Sequence, residues 1–131
     1  MGAKVVVVDD QDMIRDVLVE TLQLGGYEAF QACNGKEGLR VVEEHRPDLV
    51  ITDVRMPGMD GFEFSRRLRD TSETRILMLS GLDEQSQDDH PAGLIDAYMT
   101  KPIMLQDFLA VVESIITGKA LEAPSNFEAV T

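Results

Sequence analysis

Cysteine occurs once in these 131 residues, at Cys33. That excludes an internal disulfide and a cluster of thiolate metal ligands. Cys33 stands at the end of an apolar strand pattern and is expected to be a buried structural thiol. Basic residues are also scarce. Twelve Lys and Arg face twenty-four Asp and Glu, for a formal net charge of −12. Such a surface repels nucleic-acid phosphates and anionic lipid, and suits a cation or a basic partner surface. Part of the excess serves solubility alone. Long apolar runs are missing too, so no membrane-spanning segment is expected. The N-terminal run Val5–Val8 is too short for a signal peptide and meets Asp9 and Asp10 at once. Gly2 has Val6 where myristoylation requires Ser or Thr. These absences point to the cytoplasm, with no membrane and no nucleic-acid partner.

What is present reads as one globular domain, because 44% of the residues are apolar. Short β-branched runs at Val5–Val8, Leu49–Thr52 and Ile76–Leu79 predict buried strands, with shorter ones at Tyr27–Ala32 and Ala97–Met99. Helical patterns lie between them. Ile14, Val17, Leu18, Thr21 and Leu22 fall on one helical face that stops at Gly25-Gly26. A second helix follows Asn34-Gly35, carries Leu39 and Val42 and ends before Pro47. A third follows Gly61 with Phe64, Ser65 and Leu68 inward. The clearest runs from Leu105 through Phe108, Leu109, Val112 and Ile116 to Gly118.

Strands alternating with helices predict a doubly wound α/β fold, a parallel sheet covered on both faces. Two stretches break the pattern. Leu82–Pro91 has almost no apolar face and ends in proline, which predicts a loop or a short, irregular helix. The segment 119–131, with Pro124-Ser125-Asn126, has no sustained period and is expected to be a flexible tail or linker after a domain spanning 1–118.

In such a fold the C-terminal ends of all parallel strands share one edge, where open α/β sheets bind ligands. The first strand ends in Asp9-Asp10, the third in Asp53, the fourth in Ser80 and the fifth in Lys101. Three carboxylates held together repel, so the site should raise one of their pKa values or recruit a cation. Mg²⁺ fits, since it takes one or two carboxylates, keeps waters and shares its remaining positions with phosphate oxygens. The hydroxyl and the ammonium have no use in a purely structural Mg²⁺ site. Both suit phosphoryl transfer to an Asp nucleophile. Each residue alone has a plainer reading: Asp9 or Asp10 as a helix cap, Ser80 as a turn hydroxyl, Lys101 as a solvated charge. Their order along the chain gives the constellation its specificity. His45 and His90 lie in polar segments and read as surface residues, and the seven methionines mostly as packing.

The motifs V-V-V-V-D-D, L-V-I-T-D-V-R-M-P-G-M-D-G, I-L-M-L-S-G and A-Y-M-T-K-P, in this order and spacing, resemble the receiver domain of bacterial two-component response regulators over roughly Lys4 to Thr117. The resemblance implies a flavodoxin-like five-stranded sheet in order 2-1-3-4-5 with five flanking helices. It also implies phosphoryl transfer to Asp53 from a phosphohistidine on a histidine kinase or a histidine phosphotransfer protein. Asp10 would bind Mg²⁺ directly and Asp9 through a water. Asp53 would be both ligand and nucleophile, and the Arg55 backbone carbonyl a further ligand. Ser80 resembles the switch hydroxyl, and Tyr98 the aromatic that turns inward with it. Lys101 would pair with phosphoryl oxygens, and the Lys101-Pro102 bond is expected to be cis. Gly58 and Gly61 belong to the turn after Asp53.

Two features depart from the family pattern. A receiver signals through the face formed by its fourth helix, fifth strand and fifth helix, and the weak helical pattern at Leu82–Pro91 predicts an order–disorder switch there. Bulk at Arg55 and Leu82, two residues beyond Asp53 and Ser80, predicts slow attack of water and a long-lived phosphoryl group. Other classes fit less well. A haloacid-dehalogenase-like phosphatase needs a second Asp two residues beyond the nucleophile, where this chain has Arg55. A flavodoxin-like module needs a phosphate loop where Asp9-Asp10-Gln11-Asp12 would repel it. A degenerate receiver would lack the five intact site residues. The expectation is a switch, with no enzymatic turnover beyond its own phosphorylation and slow hydrolysis. It is either a single-domain regulator or a fragment of a longer protein.

Overall fold

The computed structural model describes residues 2–81, 93–119, 124 and 126–129. Three buried runs form the centre of the sheet: β1 (Lys4–Val8), β3 (Leu49–Asp53) and β4 (Arg75–Ser80). Almost every side chain in them is buried, as the continuous β-branched and aliphatic runs require of strands covered on both faces. β2 (Glu28–Ala32) flanks β1 on one side, and β5 (Ala97–Thr100) flanks β4 on the other. All four pairings among these five strands are parallel, in the order 2-1-3-4-5.

The sheet carries one strand more than the sequence predicts. β6 (Phe127–Ala129) pairs antiparallel with β5 within the segment expected to be a flexible tail. Three residues after a proline-containing stretch have no periodicity to betray a strand, and pairing with β5 decides the matter instead. Four helices are described: α1 (Asp12–Leu24), α2 (Gly35–His45), α3 (Gly61–Arg69) and α4 (Leu105–Thr117). The short or irregular helix expected at Leu82–Pro91, fourth of the five, lies outside the described residues, and Leu82 and His90 with it.

Helices cover both faces. Val41 and Val42 of α2 and Phe64 and Leu68 of α3 share one core cluster with Val6, Val50 and Met78. Leu18 and Leu22 of α1 and Phe108 and Val112 of α4 share the other with Val7, Ile51 and Leu77. α1 closes where Gly26 takes a φ of 93°, open to glycine at little cost. Asn34 and Asp60 begin α2 and α3, each accepting a backbone N–H at 2.8 Å, from Glu37 and Glu63. Arg69 ties the end of α3 to the approach to β5. Its guanidinium donates to the Gly93, Leu94 and Thr74 carbonyls and pairs with Asp96 at 3.1 Å.

Four side chains correct expectations. Cys33 is exposed, since it follows the edge strand β2 whose outer residues face solvent. The Cys33 thiol donates to Glu37 at 3.2 Å, which holds it protonated and pushes its pKa up. His45 is half-buried and stacks on Phe30 with ring centroids 3.8 Å apart. Ile14 and Val17 sit on the expected helical face but are 37% and 46% exposed. Among the described residues, no helix is long and apolar enough to cross a membrane.

Candidate functional site

The register brings the polar strand ends together. Val8 lies beside Thr52, Asp53 beside Leu79, and Ser80 beside Thr100, so Asp9, Asp53, Ser80 and Lys101 emerge along one sheet edge. Carboxylate oxygens of Asp9, Asp10 and Asp53 lie within 4.8 Å of one another. Asp9 is 1% and Asp53 4% exposed, whereas Asp10 faces solvent. Asp10, Asp53, Arg55, Asp60 and Lys101 line an open cleft of ≈ 460 Å³.

The Asp9 and Asp53 carboxylates are each held by a backbone N–H close in sequence. Asp9 Oδ1 accepts the Gln11 N–H at 2.9 Å. Arg15 Nη1 donates to the Asp9 carbonyl at 2.7 Å while its Nη2 pairs with Asp12 at 2.6 Å. Asp53 Oδ1 accepts two donors, the Val54 N–H at 3.1 Å and Lys101 Nζ at 2.8 Å. The turn after β3 folds back closely enough that a Cβ on Gly61 would lie 2.2 Å from the Asp53 carbonyl oxygen. Only glycine allows the Gly61 N–H to reach the Val54 carbonyl at 2.7 Å. Gly58, in the same turn, takes a φ of 81°.

Ser80 on β4 and Tyr98 on β5 stand one and two strands from Asp53 and do not line the cleft. Both are buried, Tyr98 against the α2/α3 core, so the aromatic already points inward. Burial, and to a lesser extent the Glu128 carboxylate, pushes the Tyr98 phenol up to about 12. The Lys101-Pro102 bond is cis, as the resemblance implies. The Lys101 N–H donates to the Ser80 carbonyl at 2.7 Å.

The electrostatics point to a cation. Asp9 Oδ2 is buried with no hydrogen-bond partner among the described residues. A buried acceptor left unpaired is costly. Burial raises the Asp9 pKa, and the Asp53 and Asp10 charges add to this against the Gln11 N–H and Lys101. An acceptor-only donor set of three carboxylates beside an open cleft fits Mg²⁺.

A family model described as "Response regulator receiver domain" matches residues 5–113. The chain belongs to the response regulator receiver family. Its receiver fold resembles that of the chemotaxis response regulator CheY4 of Vibrio cholerae, with a TM-score of 0.78 and 33% identity over 88% of this chain and 99% of that one. The receiver domain of the Francisella response regulator 1452 gives a TM-score of 0.79 at 26% identity, over 89% and 98% of the two chains. In sequence the chain is 37% identical over 130 residues to the alkaline phosphatase synthesis transcriptional regulatory protein PhoP of Bacillus subtilis (strain 168). That match covers 96% of this chain but only 53% of the relative. The family places the chain in two-component signalling as a signalling domain rather than a turnover enzyme.

Sequence reasoning named the three clustered carboxylates, Asp9, Asp10 and Asp53, but not Asp60, which also lines the cleft. It missed Arg15 and Asn126. On a helix pattern Arg15 reads as a solvated charge, and its bond to the Asp9 carbonyl appears only in three dimensions. Asn126 lies in the segment read as a tail.

Proposed function

We propose that this receiver is a cytoplasmic signalling switch that accepts a phosphoryl group on Asp53 from a phosphohistidine, with Mg²⁺ as cofactor. The donor is a histidine kinase or a histidine phosphotransfer protein, and the output is a protein contact. The observation that carries the reading is the pairing of Lys101 Nζ with Asp53 Oδ1 at 2.8 Å, inside a carboxylate cluster whose Asp9 Oδ2 is orphaned. A structural ion pair needs no such cluster, and a structural cation site needs no lysine.

In this reading an Asp53 carboxylate oxygen attacks phosphorus. A P–O bond forms, the P–N bond to the donor imidazole breaks, and its electron pair stays on the imidazole nitrogen. The Val54 N–H and Lys101 fix the Asp53 carboxylate before attack, so little reorganisation is left for the reaction. The Lys101 ammonium then follows charge onto the phosphoryl oxygens, and the Ser80 hydroxyl donates to one of them. Asp10, Asp53 and the Arg55 carbonyl would hold Mg²⁺ directly and Asp9 through a water, and the ion would supply positive charge to the same oxygens when bound. Tyr98 and Ser80 form the switch that reports the change. Arg55 on the cleft rim would slow water attack on the acyl phosphate.

Docking of the donor has support beside the site. Met13, Ile14 and Val17 of α1, with Ile103 and Leu105 after β5, line a mainly apolar cleft of ≈ 360 Å³ that also reaches Lys101. An apolar partner surface bearing the phosphohistidine would bury these side chains and face Asp53.

Intact mass measurement after incubation with Mg²⁺ and acetyl phosphate tests the reading. One labile phosphoryl group is expected on the parent chain, and none on Asp53→Asn or without Mg²⁺. Equal labelling of Asp53→Asn would refute the assignment.

A further inference from the structure

The end of the described chain reaches the phosphoryl-accepting edge. β6 places Phe127 opposite Met99, Glu128 opposite Tyr98 and Ala129 opposite Ala97. A three-residue edge strand has little stability of its own. Phe127 anchors it by packing against the core cluster that contains Met99 and Phe108. The residue before β6 then meets the residue before Lys101. The Thr100 N–H donates to the Asn126 carbonyl at 2.9 Å. In return Asn126 Nδ2 donates to the Thr100 carbonyl at 2.7 Å and the Pro102 carbonyl at 3.3 Å. Only the amide nitrogen of Asn126 can serve two carbonyls, so the side-chain orientation is set by chemistry.

The two carbonyls flank Lys101. The Lys101 backbone is therefore held from two sides: by Ser80, whose carbonyl takes its N–H at 2.7 Å, and by Asn126 across the β5 edge. A lysine ends in a point charge on a long flexible stem, so its placement depends on how firmly its backbone is fixed. Here the stem delivers Nζ to within 2.8 Å of Asp53 Oδ1.

We propose that Asn126 is a positioning residue for Lys101, which makes β6 a working part of the phosphoryl-accepting edge. The inference rests on the reading of Asp53 and Lys101 given above. Coupling is reciprocal. If Asn126 sets Lys101, then a group on Asp53 that draws Lys101 toward it changes the protection of the Thr100–Asn126 contact.

The test uses the whole chain, Mg²⁺, and beryllofluoride as a phosphoryl mimic on Asp53. Mg²⁺ affinity should be the same within about twofold in Asn126→Ala, because the carboxylates and not Lys101 hold the cation. Beryllofluoride affinity should fall about five- to tenfold, the loss of one or two hydrogen bonds that place the lysine. Glu128→Gln, in β6 opposite Tyr98 and away from Thr100, should bind beryllofluoride like the parent. In the parent itself, hydrogen exchange of the Thr100 amide should change when beryllofluoride is added at saturating Mg²⁺. This measurement needs no variant to fold. Unchanged Thr100 exchange overturns the inference. So does an Asn126→Ala chain that is folded and binds beryllofluoride as tightly as the parent. A parent that binds neither Mg²⁺ nor beryllofluoride overturns the reading of Asp53 itself, and this inference with it.

Discussion

The two faces of the sheet are built differently. On the α2/α3 face both helices begin with a side-chain cap, Asn34 or Asp60, and their apolar stripes are covered. On the α1/α4 face the helices begin at Gln11 and Met104 without a side-chain cap. Every exposed large hydrophobic side chain among the described residues lies on α1 or at the start of α4: Met13, Ile14, Val17, Leu24, Met104 and Leu105. The difference separates stability from recognition. One face is closed and carries its caps, while the other keeps apolar surface uncovered next to Lys101 and Asp53. An uncovered stripe is unfavourable for an isolated domain and useful to one that must meet a partner.

The sharpest way to break this comparison is to remove one apolar side chain from each face. Phe64→Ala, in the closed core, should lower stability by about 3–5 kcal/mol in urea unfolding. Ile14→Ser, on the open face, should change stability by no more than about 0.5 kcal/mol. Yet it should slow transfer from a phosphohistidine donor roughly tenfold, as loss of an interface anchor does, while leaving labelling by acetyl phosphate unchanged. Equal stability losses for the two variants would erase the distinction.

The caps give the next largest contrast. Asn34→Ala and Asp60→Ala should each cost about 1 kcal/mol in thermal unfolding, because each orphans a first-turn N–H. Gln11→Ala should cost almost nothing, since its side chain caps no N–H in α1.

Much of this was legible in the sequence because the relevant signals are local. The runs Val5–Val8 and Ile76–Leu79 are too apolar and too β-branched for anything but covered strands, and Asp9, Asp53, Ser80 and Lys101 follow such runs directly. Periodicity also found the apolar face of α1. It could not say that the neighbouring elements cover Leu18 and Leu22 but leave Ile14 and Val17 open, because that depends on where α4 begins. Cys33 misled for a related reason: a strand at the sheet edge has only one neighbour to bury it. β6 and Asn126 were invisible because pairing with β5, not any property of Phe127–Ala129 alone, makes the strand.

Two smaller effects concern protons. Burial raises the folded-state pKa of Asp9 above its unfolded value, so the stability tied to this group is full at low pH and lost as pH rises through the folded pKa. At neutral pH without Mg²⁺ its charge opposes folding. Asp9→Asn should therefore be more stable than the parent there. The gain should shrink as pH falls toward the carboxylate range, and Mg²⁺ should reduce it by stabilising the parent more than the variant. Calorimetry across pH with and without Mg²⁺ checks both signs. The Tyr98 phenol, at about 12, should be the last tyrosine to ionise in an absorbance titration. Glu128→Gln should lower it only slightly, because burial is the larger cause. Its contribution to stability is intact below the ordinary phenol range and lost as pH rises toward about 12.

The central claim is that Asp53 carries the phosphoryl group. Borohydride reduces an aspartyl phosphate to homoserine, so peptide mass spectrometry after reduction reads the modified residue directly. The account predicts homoserine at position 53 after treatment with phosphodonor and Mg²⁺, and none after chelation. Homoserine at Asp9, Asp10 or Asp60, or at no position, would contradict it.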